Sequence, residues 1–369
     1  MSSTKTRDRR RVLILIKGLG IGGAERLILE GSSQWDLNQF HYRVAYVLPW
    51  KDHLVEKLTS KGIDTTCVGG TRGLDPITPL RIRRLVKDWG ADLIHAHLPS
   101  AGILARISSG APTVYTEHNI VDSYRQPTRS LNRATYGRNS AVIAVSEAVA
   151  TSLEGYPGPS PVIIPNGVRS LSGVTGNGVR SELGITGQTP LVVHVGNIRP
   201  HKGHSNLISA TQVLAQRVPE VLVVSIGGEK YSGDVERITR QAKEAGVGER
   251  IRFLGKRTDA WAFMAAADVV VNPSDVEGLP LAILEALSMG RPVVATDVGG
   301  VSTVVVHRST GLLISPGDPT ALADAVVEAL SNPDALEWGR AGARLVKQTH
   351  SVTKMIGAYE DVYQDVLDG

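Results

Sequence analysis

The chain has a single cysteine among its 369 residues, which excludes a disulfide within the chain and is typical of a protein in a reducing compartment. No run of about 18 apolar residues occurs, so we expect no membrane-spanning helix. Residues 1–11 are polar and basic without an apolar segment, which argues against a secretory signal peptide. These features together predict a cytoplasmic protein.

Several familiar motifs are also missing. No G-x-S-x-G turn occurs, and Cys67 falls in a predicted apolar strand, so covalent hydrolysis is not supported. Neither zinc-finger spacing nor a basic segment rich in aromatic residues is present, so nucleic acid is not an expected partner.

Length and hydrophobic pattern predict two α/β domains. A chain of 369 residues exceeds one ordinary core, since domains commonly have about 150 to 200 residues. Short β-branched runs alternate with helix-like stretches in two successive series, which is typical of parallel βαβ units. The predicted strands lie at 12–16, 42–48, 64–68, 92–95, 113–116, 141–145, 162–164, 191–195, 221–226, 252–254, 269–271, 293–296 and 312–314.

We therefore predict two tandem, doubly wound, Rossmann-like domains. The first spans residues 1–175 and the second 176–350, divided by a segment rich in Gly, Ser, Thr and Asn. A final helix at 351–369 is expected to return to the first domain. Ligands would bind beyond the carboxyl ends of the strands, in a cleft between the two domains.

Charge is unevenly distributed between these domains. Residues 1–175 carry 22 Lys and Arg against 14 Asp and Glu, a net charge of +8, whereas the remainder carries −4. A basic first domain suits an anionic partner, such as a phosphate-bearing acceptor or an anionic membrane surface. The segment from Pro79 to Trp89 predicts a basic amphipathic helix with Leu85 and Trp89 on one face. Membrane contact and packing on a sheet remain alternatives for it.

Two carboxylates, Glu277 and Glu285, stand on either side of Gly278, Leu279 and Pro280. Proline suits the first helical position, so we expect a helix to begin near Pro280, just after a strand. Free N–H groups at that helix start would attract phosphate. Because a carboxylate repels phosphate, we interpret both glutamates as acceptors for sugar hydroxyls; two solvated surface glutamates are the alternative.

A glycine-rich turn follows the first predicted strand. Gly18, Gly20 and Gly23 formally match the dinucleotide-binding pattern G-x-G-x-x-G, but no acidic residue ends the second strand to hold a ribose, so we rank an oxidoreductase low. Gly22 and Gly23 still place N–H groups at a helix start, where a ligand can approach the backbone closely.

Cations occupy a second predicted strand-to-helix turn. Asn197, Arg199 and Lys202 lie there. The two cations would sit at the strand ends beside the Glu277 segment and compensate the charge of a diphosphate; ordinary surface charges in a loop are the alternative.

Three histidines, His95, His97 and His118, raise the question of a zinc site. We disfavour it because no further ligand stands at convincing spacing. His118 fits better as polar lining of the ligand site, and His95 as a hydrogen-bonded core histidine.

Together these segments resemble the retaining glycosyltransferases of family 4, whose fold is of the GT-B type with two Rossmann-like domains. The resemblance covers nearly the whole chain in order, through residues 22–25, 92–97, 116–119, Ser146, 164–168, 202–203, 277–285, 292–296 and 299–300. Each motif is weak alone, and their common order makes the resemblance specific.

The resemblance implies that the second domain holds a nucleotide-sugar donor. Lys202 would bind its diphosphate and Glu285 its ribose hydroxyls. Glu277, with the backbone from Gly278 to Pro280, would hold the transferred sugar. Lys256 would border the nucleotide base.

In the first domain, the resemblance places Gly23, with Gly22 before it, against the diphosphate and the acceptor. His118 would contact the sugar at the reacting face.

Two positions depart from the family pattern. Members usually carry Arg five residues before the diphosphate-binding Lys, where this chain has Asn197, and Arg199 is the candidate substitute. The Glu of the family's Gly-Gly-x-x-Glu is Thr303 here. Both departures leave the identity of the sugar open.

The implied activity is retaining transfer of a sugar from a nucleotide diphosphosugar to an acceptor hydroxyl, with no metal or other cofactor. A UDP-sugar is favoured over a GDP-sugar, and lipid-linked, glycan and small-molecule acceptors remain open, as does the oligomeric state. Front-face attack is favoured because we can assign no carboxylate to a double displacement. The alternatives are a nonhydrolysing sugar-nucleotide epimerase, a phosphorylase, or a noncatalytic nucleotide-sugar-binding protein of the same architecture.

Overall fold

The computed structural model describes residues 9–69, 76–108, 110–229 and 231–369. Most of the basic segment 1–11 lies outside these residues. The chain divides into two compact units, which we call unit 1 (Met1–Gly167 with Val352–Gly369) and unit 2 (Val168–Ser351).

Unit 1 is built on a parallel seven-stranded sheet in the order β3-β2-β1-β4-β5-β6-β7. Strands β4 and β5 are buried along their whole length, as expected for the centre of a parallel sheet. The strands are Arg10–Ile16 (β1), Phe40–Tyr46 (β2), Asp64–Cys67 (β3), Leu93–His97 (β4), Thr113–Glu117 (β5), Ala141–Ala144 (β6) and Pro161–Ile163 (β7).

Helices connect these strands, as the alternating pattern predicted. They are Gly23–Gly31 (α1), Val55–Thr59 (α2), Thr78–Trp89 (α3), Pro99–Ser108 (α4), Thr128–Thr135 (α5) and Glu147–Ser152 (α6). In α3, Ile82 is buried in the core, and Leu85 and Trp89 pack against it. The apolar face of α3 therefore packs on the sheet, while its basic residues stay exposed.

Unit 2 has a parallel six-stranded sheet in the order β10-β9-β8-β11-β12-β13. Its strands are Leu191–Val195 (β8), Leu222–Ile226 (β9), Ile251–Phe253 (β10), Val269–Asn272 (β11), Val293–Thr296 (β12) and Leu312–Ile314 (β13). Its helices are Val179–Glu182 (α7), His204–Arg217 (α8), Asp234–Glu244 (α9), Ala260–Ala266 (α10), Leu281–Ser288 (α11), Pro319–Ser331 (α12) and Ala335–Thr349 (α13).

Every predicted strand overlaps an observed one, and the prediction of two doubly wound α/β domains is confirmed. In unit 1 the chain runs outward from β1 to β3 and then returns to β4 on the other side of β1. In unit 2 it runs from β8 to β10 and returns to β11. Ligands of such sheets bind at the carboxyl ends of the strands where the order reverses. These two positions, beside β1 and β4 and beside β8 and β11, are the switch points.

The last helix, Val352–Asp368 (α14), groups with unit 1. Its Tyr363 ring meets the Phe40 ring edge-on at 5.8 Å, and a Cβ on Gly31 would lie 2.7 Å from Ile356 Cδ1. The absence of a side chain at residue 31 therefore lets α1 and α14 approach closely.

The first unit ends earlier than the predicted boundary at residue 175. Val168 belongs to unit 2 because its N–H donates to the carbonyl oxygen of His350 at 2.8 Å and it forms a bridge with Ser351. The segment rich in Gly and Ser that suggested a linker is thus the start of unit 2.

The prediction that Cys67 lies in an apolar, hydrophobic strand is wrong. Cys67 ends β3, which pairs with β2 at the edge of the sheet, and Cys67 is exposed. An edge strand needs no apolar side chains on both faces, and β3 has none that is buried.

Candidate active site

At the switch point of unit 2, the turns after β8 and β11 are held against each other. The N–H of Asp275 donates to the carbonyl oxygen of His201 at 2.8 Å. Gly203 adopts a φ of +68°, and a Cβ there would collide with the carbonyl oxygen of Pro273. Glycine is therefore required at residue 203 both for its backbone conformation and for this close approach.

Lys202 and Glu277 meet at this junction. The Lys202 Nζ lies 2.7 Å from Glu277 Oε1 and 2.8 Å from Oε2. Glu277 is only 4% exposed, and its Oε1 also accepts from the Ser274 hydroxyl at 2.7 Å. The Asn272 amide lies 3.5 Å away. The two residues that sequence reasoning assigned to different parts of a donor are therefore in direct contact.

The contact leaves Lys202 with capacity for another partner. An ammonium has three N–H donors, and the Lys202 side chain is 23% exposed, whereas that of Glu277 is 5% exposed. The carboxylate is held inside the turn and the ammonium at its surface. This arrangement suits an ammonium that also binds an anion from solution.

The turn after β11 leads into α11 through Gly278, Leu279 and Pro280. Pro280 has φ −74° and ψ 124°, so it precedes the helix, which begins at Leu281. The expected start near Pro280 is correct to within one residue. The first N–H groups of α11 follow directly, and such groups have no partner within a helix.

A second glycine turn supports this one. Gly299 has φ +57°, and a Cβ there would collide with the carbonyl oxygen of Glu277. The N–H of Gly300 donates to the carbonyl oxygen of Gly278 at 2.7 Å. The turn after β12 therefore fixes the backbone that carries Glu277.

Glu285 lies on the second turn of α11 and is 4% exposed, so it is not a solvated surface residue. The alternative of two surface glutamates is therefore wrong for both carboxylates. Sequence periodicity could not distinguish a buried glutamate from a surface one, because burial of a carboxylate depends on partners far away in the chain.

Asn197 stands where the family pattern has an arginine, and its amide joins two turns. Its Oδ1 accepts from the Gly228 N–H at 2.9 Å, and the N–H of Ile198 donates to the carbonyl oxygen of Gly228 at 2.9 Å. Asn197 thus joins the turn after β8 to the turn after β9.

The other two cations assigned to the donor, Arg199 and Lys256, differ in their burial. Arg199 is half-buried, and desolvation lowers its pKa against the opposing effects of Asp234 and Tyr231. Lys256 is exposed, and its Cβ lies 4.0 Å from where a Cβ on Gly228 would be. Both residues are therefore close to the turns that Asn197 joins.

At the switch point of unit 1, the glycine-rich turn is held by the segment after β2. The N–H of Leu19 donates to the carbonyl oxygen of Lys51 at 2.6 Å, and the N–H of Leu54 donates to that of Leu19 at 3.0 Å. Gly22 is extended and precedes α1, which begins at Gly23. A Cβ on Gly22 would meet the end of the Glu25 side chain, which would have to move aside.

His118 follows β5 and is buried beside His97, the last residue of β4. Nδ1 of His97 lies 3.0 Å from Nε2 of His118. Burial lowers the pKa of His118 to about 4 and holds that of His97 well below its usual value. Both rings are therefore neutral at physiological pH.

His95 is a hydrogen-bonded core histidine, as predicted. Its Nδ1 lies 2.5 Å from the Tyr363 hydroxyl and its Nε2 lies 2.7 Å from the Thr116 hydroxyl. Burial lowers its pKa to about 3. Over the described parts of the chain, no three His, Cys, Asp or Glu side chains converge so as to hold a metal ion.

Sequence reasoning missed Glu117. Its carboxylate accepts from the His118 N–H at 3.0 Å and from the Tyr115 hydroxyl at 2.6 Å, and also from the Tyr124 hydroxyl. Burial raises its pKa, while these donors oppose the shift. Glu117 thereby fixes the backbone on which His118 stands. The feature of the sequence that could have identified Glu117 was a glutamate at the end of a buried strand.

Two family models match nearly the whole chain. The model described as Glycosyltransferase Family 4 matches residues 21–170, and the one described as Glycosyl transferases group 1 matches residues 178–345. A phosphatidyl-myo-inositol mannosyltransferase of Mycobacterium leprae is 32% identical over 288 residues, which are 74% of this chain and 73% of that relative. The chain belongs to glycosyltransferase family 4.

Other relatives of this family 4 protein match over shorter stretches. A D-inositol 3-phosphate glycosyltransferase of Jonesia denitrificans is 32% identical over 46% of this chain and 42% of the relative. An N-acetyl-alpha-D-glucosaminyl L-malate synthase of Bacillus anthracis is 28% identical over 48% of this chain and 46% of the relative. The chain thus spans less than half the length of these two relatives.

Solved structures show that the fold of this family 4 protein is GT-B. HepE of Anabaena in complex with UDP superposes with a TM-score of 0.82 at 23% identity, over 96% of this chain and all 100% of HepE. Sucrose-phosphate synthase of Thermosynechococcus elongatus gives 0.81 at 23% identity, over 97% and 100%. Across the described residues, no helix has the length and apolar character needed to cross a bilayer.

The buried histidines predict how stability depends on pH. The folded pKa of His118, about 4, is below its ordinary value of 6.5, so between these values the unfolded chain binds a proton that the folded chain does not. This contribution to stability is complete above pH 6.5 and declines as the pH falls to about 4. In His118→Asn, the free energy of unfolding should fall less steeply over that window, by about 1.4 kcal/mol per pH unit.

Urea unfolding of both proteins at several pH values measures these slopes. Equal slopes in wild type and His118→Asn would show that His118 does not titrate differently in the folded and unfolded states.

Proposed function

We propose that this protein transfers a sugar, with retention, from a nucleotide diphosphosugar to an acceptor hydroxyl. The observation that carries the proposal is the contact between Lys202 and the buried Glu277 at the switch point of unit 2. It sets a cation and a hydroxyl acceptor within one hydrogen bond of each other, beside the start of α11. A diphosphate and the sugar attached to it need that juxtaposition.

In this proposal the donor lies along the carboxyl ends of β8 and β11. The diphosphate binds Lys202 and the first N–H groups of α11, with Arg199 as the second cation in place of Asn197. Glu277 accepts from hydroxyls of the transferred sugar, next to Gly278, Leu279 and Pro280. A carboxylate in this position can bind hydroxyls because Lys202 compensates its charge.

The nucleoside occupies the other side of the diphosphate. Glu285 accepts from the ribose hydroxyls, and Lys256 borders the base. HepE was solved with UDP, whereas a relative from Mycobacterium tuberculosis is named as GDP-mannose-dependent. We place a uridine donor first and a guanosine donor second.

The reaction we propose is front-face substitution. The acceptor oxygen forms a bond to the anomeric carbon while the bond from that carbon to the phosphate oxygen breaks. The proton of the acceptor hydroxyl passes to the departing phosphate. Lys202, Arg199 and the α11 start stabilise the negative charge that develops there, without a metal. The hold of Lys202 on Glu277 makes this carboxylate a poor nucleophile, which disfavours double displacement.

Unit 1 would supply the acceptor side. Gly22 and Gly23 allow close approach of a ligand to the backbone, and neutral His118 would hydrogen-bond the transferred sugar. The net charge of residues 1–175 is +8, which suits an anionic or lipid-linked acceptor.

The exposed face of α3 supports peripheral contact with an anionic membrane. Ile77 and Leu80 are 53% and 65% exposed, beside the exposed basic residues Arg83, Arg84 and Lys87. Apolar side chains flanked by cations suit the interface of a bilayer with anionic headgroups. We propose that the protein works at the inner face of the membrane.

Replacing Lys202 by Met should lower turnover about 100- to 1000-fold, because a preorganised cation is lost from the departing diphosphate. The assay measures nucleoside diphosphate released from uridine, guanosine, adenosine and thymidine diphosphosugars, each with inositol phosphate, phosphatidylinositol vesicles or free sugars as acceptor. Lys347→Met removes an exposed lysine of α13 and should leave turnover unchanged.

Loss of Lys202 also leaves Glu277 uncompensated, which costs about 3 to 5 kcal/mol for a buried charge. The double variant Lys202→Met/Glu277→Gln removes that cost and should be as inactive as the single variant. Unchanged turnover in either would contradict the role of Lys202. Donor consumption without acceptor, a requirement for inorganic phosphate, or donor binding without turnover would instead identify an epimerase, a phosphorylase or a noncatalytic binding protein.

Reversing two charges of α3, in Arg83→Glu/Arg84→Glu, should weaken sedimentation with phosphatidylglycerol vesicles at least about tenfold, since each basic residue contributes about 1 kcal/mol near an anionic surface. Arg240→Glu/Lys243→Glu makes the same change on α9 of unit 2 and serves as the control. Equal recovery in the supernatant with phosphatidylglycerol and with phosphatidylcholine vesicles would count against membrane contact.

A further inference from the structure

His97 and His118 form a closed pair at the switch point of unit 1. His97 is the last residue of β4, and His118 directly follows the neighbouring strand β5. Their rings are nearly parallel, with an interplanar angle of 27° and centroids 5.3 Å apart. The two nitrogens that face each other, Nδ1 of His97 and Nε2 of His118, are 3.0 Å apart.

That distance requires one proton between the two nitrogens. Two bare nitrogens would repel each other, and two N–H groups would clash. A neutral imidazole carries its proton on one nitrogen and a lone pair on the other. If His97 donates, Nδ1 of His118 is left as an N–H donor; if His118 donates, its Nδ1 is left as an acceptor. The tautomer of His118 is therefore tied to that of His97.

The surroundings of His97 restrict its ring. His95 lies against it with centroids 4.1 Å apart, and the Tyr359 ring of α14 is 6.3 Å away. His95 is itself held by Thr116 and Tyr363. His97 is 3% exposed, so its ring lies among these groups rather than in solvent.

The backbone of His118 is fixed independently of its ring, since Glu117 accepts from the His118 N–H at 3.0 Å. With the backbone held by Glu117, the remaining freedom of His118 is rotation of its side chain and the position of its ring proton. The contact with His97 restricts both the rotation of the side chain and the position of the ring proton.

We propose that His97 is a positioning residue for His118, holding its ring in one orientation and one tautomer so that Nδ1 meets the transferred sugar in a single hydrogen-bonding state. The inference rests on the proposed function for the role of His118. It goes further by assigning His97, which is buried and contacts His118, to the same reaction.

The test compares two substitutions at residue 97. His97→Asn keeps an amide near the position of Nδ1, where it can donate or accept, while His97→Leu fills a similar volume without a polar atom. We expect His97→Leu to lower kcat about 10- to 100-fold, by analogy with the loss of a hydrogen bond that orients a metal-bound histidine. His97→Asn should restore most of that loss. Equal loss in both variants would overturn the proposal.

A double-mutant cycle separates positioning from packing. In a His118→Ala background, His97→Leu should cause no further loss of kcat, because its target is already absent. Independent, multiplicative losses would show that His97 acts through the core and not through His118.

Nitrogen NMR of the imidazole groups gives a readout without turnover. Wild-type protein should show His118 as one neutral tautomer, with its signals assigned by their absence in His118→Ala. In His97→Leu these signals should move towards a mixture of tautomers. A mixture in wild type would overturn the proposal even if His97→Leu fails to fold. If His118→Ala keeps full activity, the proposed role of His118 fails, and the NMR result still decides whether His97 sets its tautomer.

Discussion

A carboxylate that is almost fully buried needs a positive partner, and the donor side of this protein is organised around that need. Glu277 is enclosed by the turn after β11 and is compensated by Lys202 from the turn after β8. Removing one partner alone leaves the charge of the other uncompensated. The pair therefore does two things: it joins two turns at the switch point, and it holds a cation and a hydroxyl acceptor at a fixed separation.

The close approach of these turns depends on glycine. At Gly203 and Gly299, a side chain would strike the backbone of the neighbouring turn, at Pro273 and Glu277 respectively. In unit 1 the backbone after β5 is held differently. Glu117 accepts hydrogen bonds from the Tyr115 hydroxyl and the His118 N–H. In both units a buried carboxylate shapes the turn, and in unit 2 that carboxylate, Glu277, also contacts a cation that an anionic ligand can share.

Much of the fold could be predicted from the sequence, because strand and helix periodicities are local properties. Each predicted strand overlaps an observed one, and α11 begins within one residue of its expected start. The boundary between the units was placed too late, because Val168 is tied to unit 2 by residues almost two hundred positions further on. Cys67 was misjudged because the position of a strand at the edge of its sheet is set by pairing with other strands and not by its own residues.

Contacts between distant side chains could not be predicted in the same way. Glu277 and Lys202 were each assigned to a donor group on turns expected to lie side by side, but spacing along the chain could not show that the two side chains contact each other. The partner of His118 was also hidden, although His97 was noted for its spacing. Asn197 was singled out as a departure, and only the structure shows that it binds the Gly228 N–H. Roles drawn from the resemblance remain proposals for Glu285, Arg199 and Lys256.

The central claim is that Lys202 is shared between Glu277 and the diphosphate. Calorimetry with free nucleoside diphosphates, first UDP and then GDP, tests it most directly in wild type and Glu277→Gln. The account predicts that Glu277→Gln binds the nucleoside diphosphate more tightly than wild type, because a competing negative charge is gone, while sugar transfer falls sharply. Weaker or equal binding of the nucleoside diphosphate by Glu277→Gln would contradict the account.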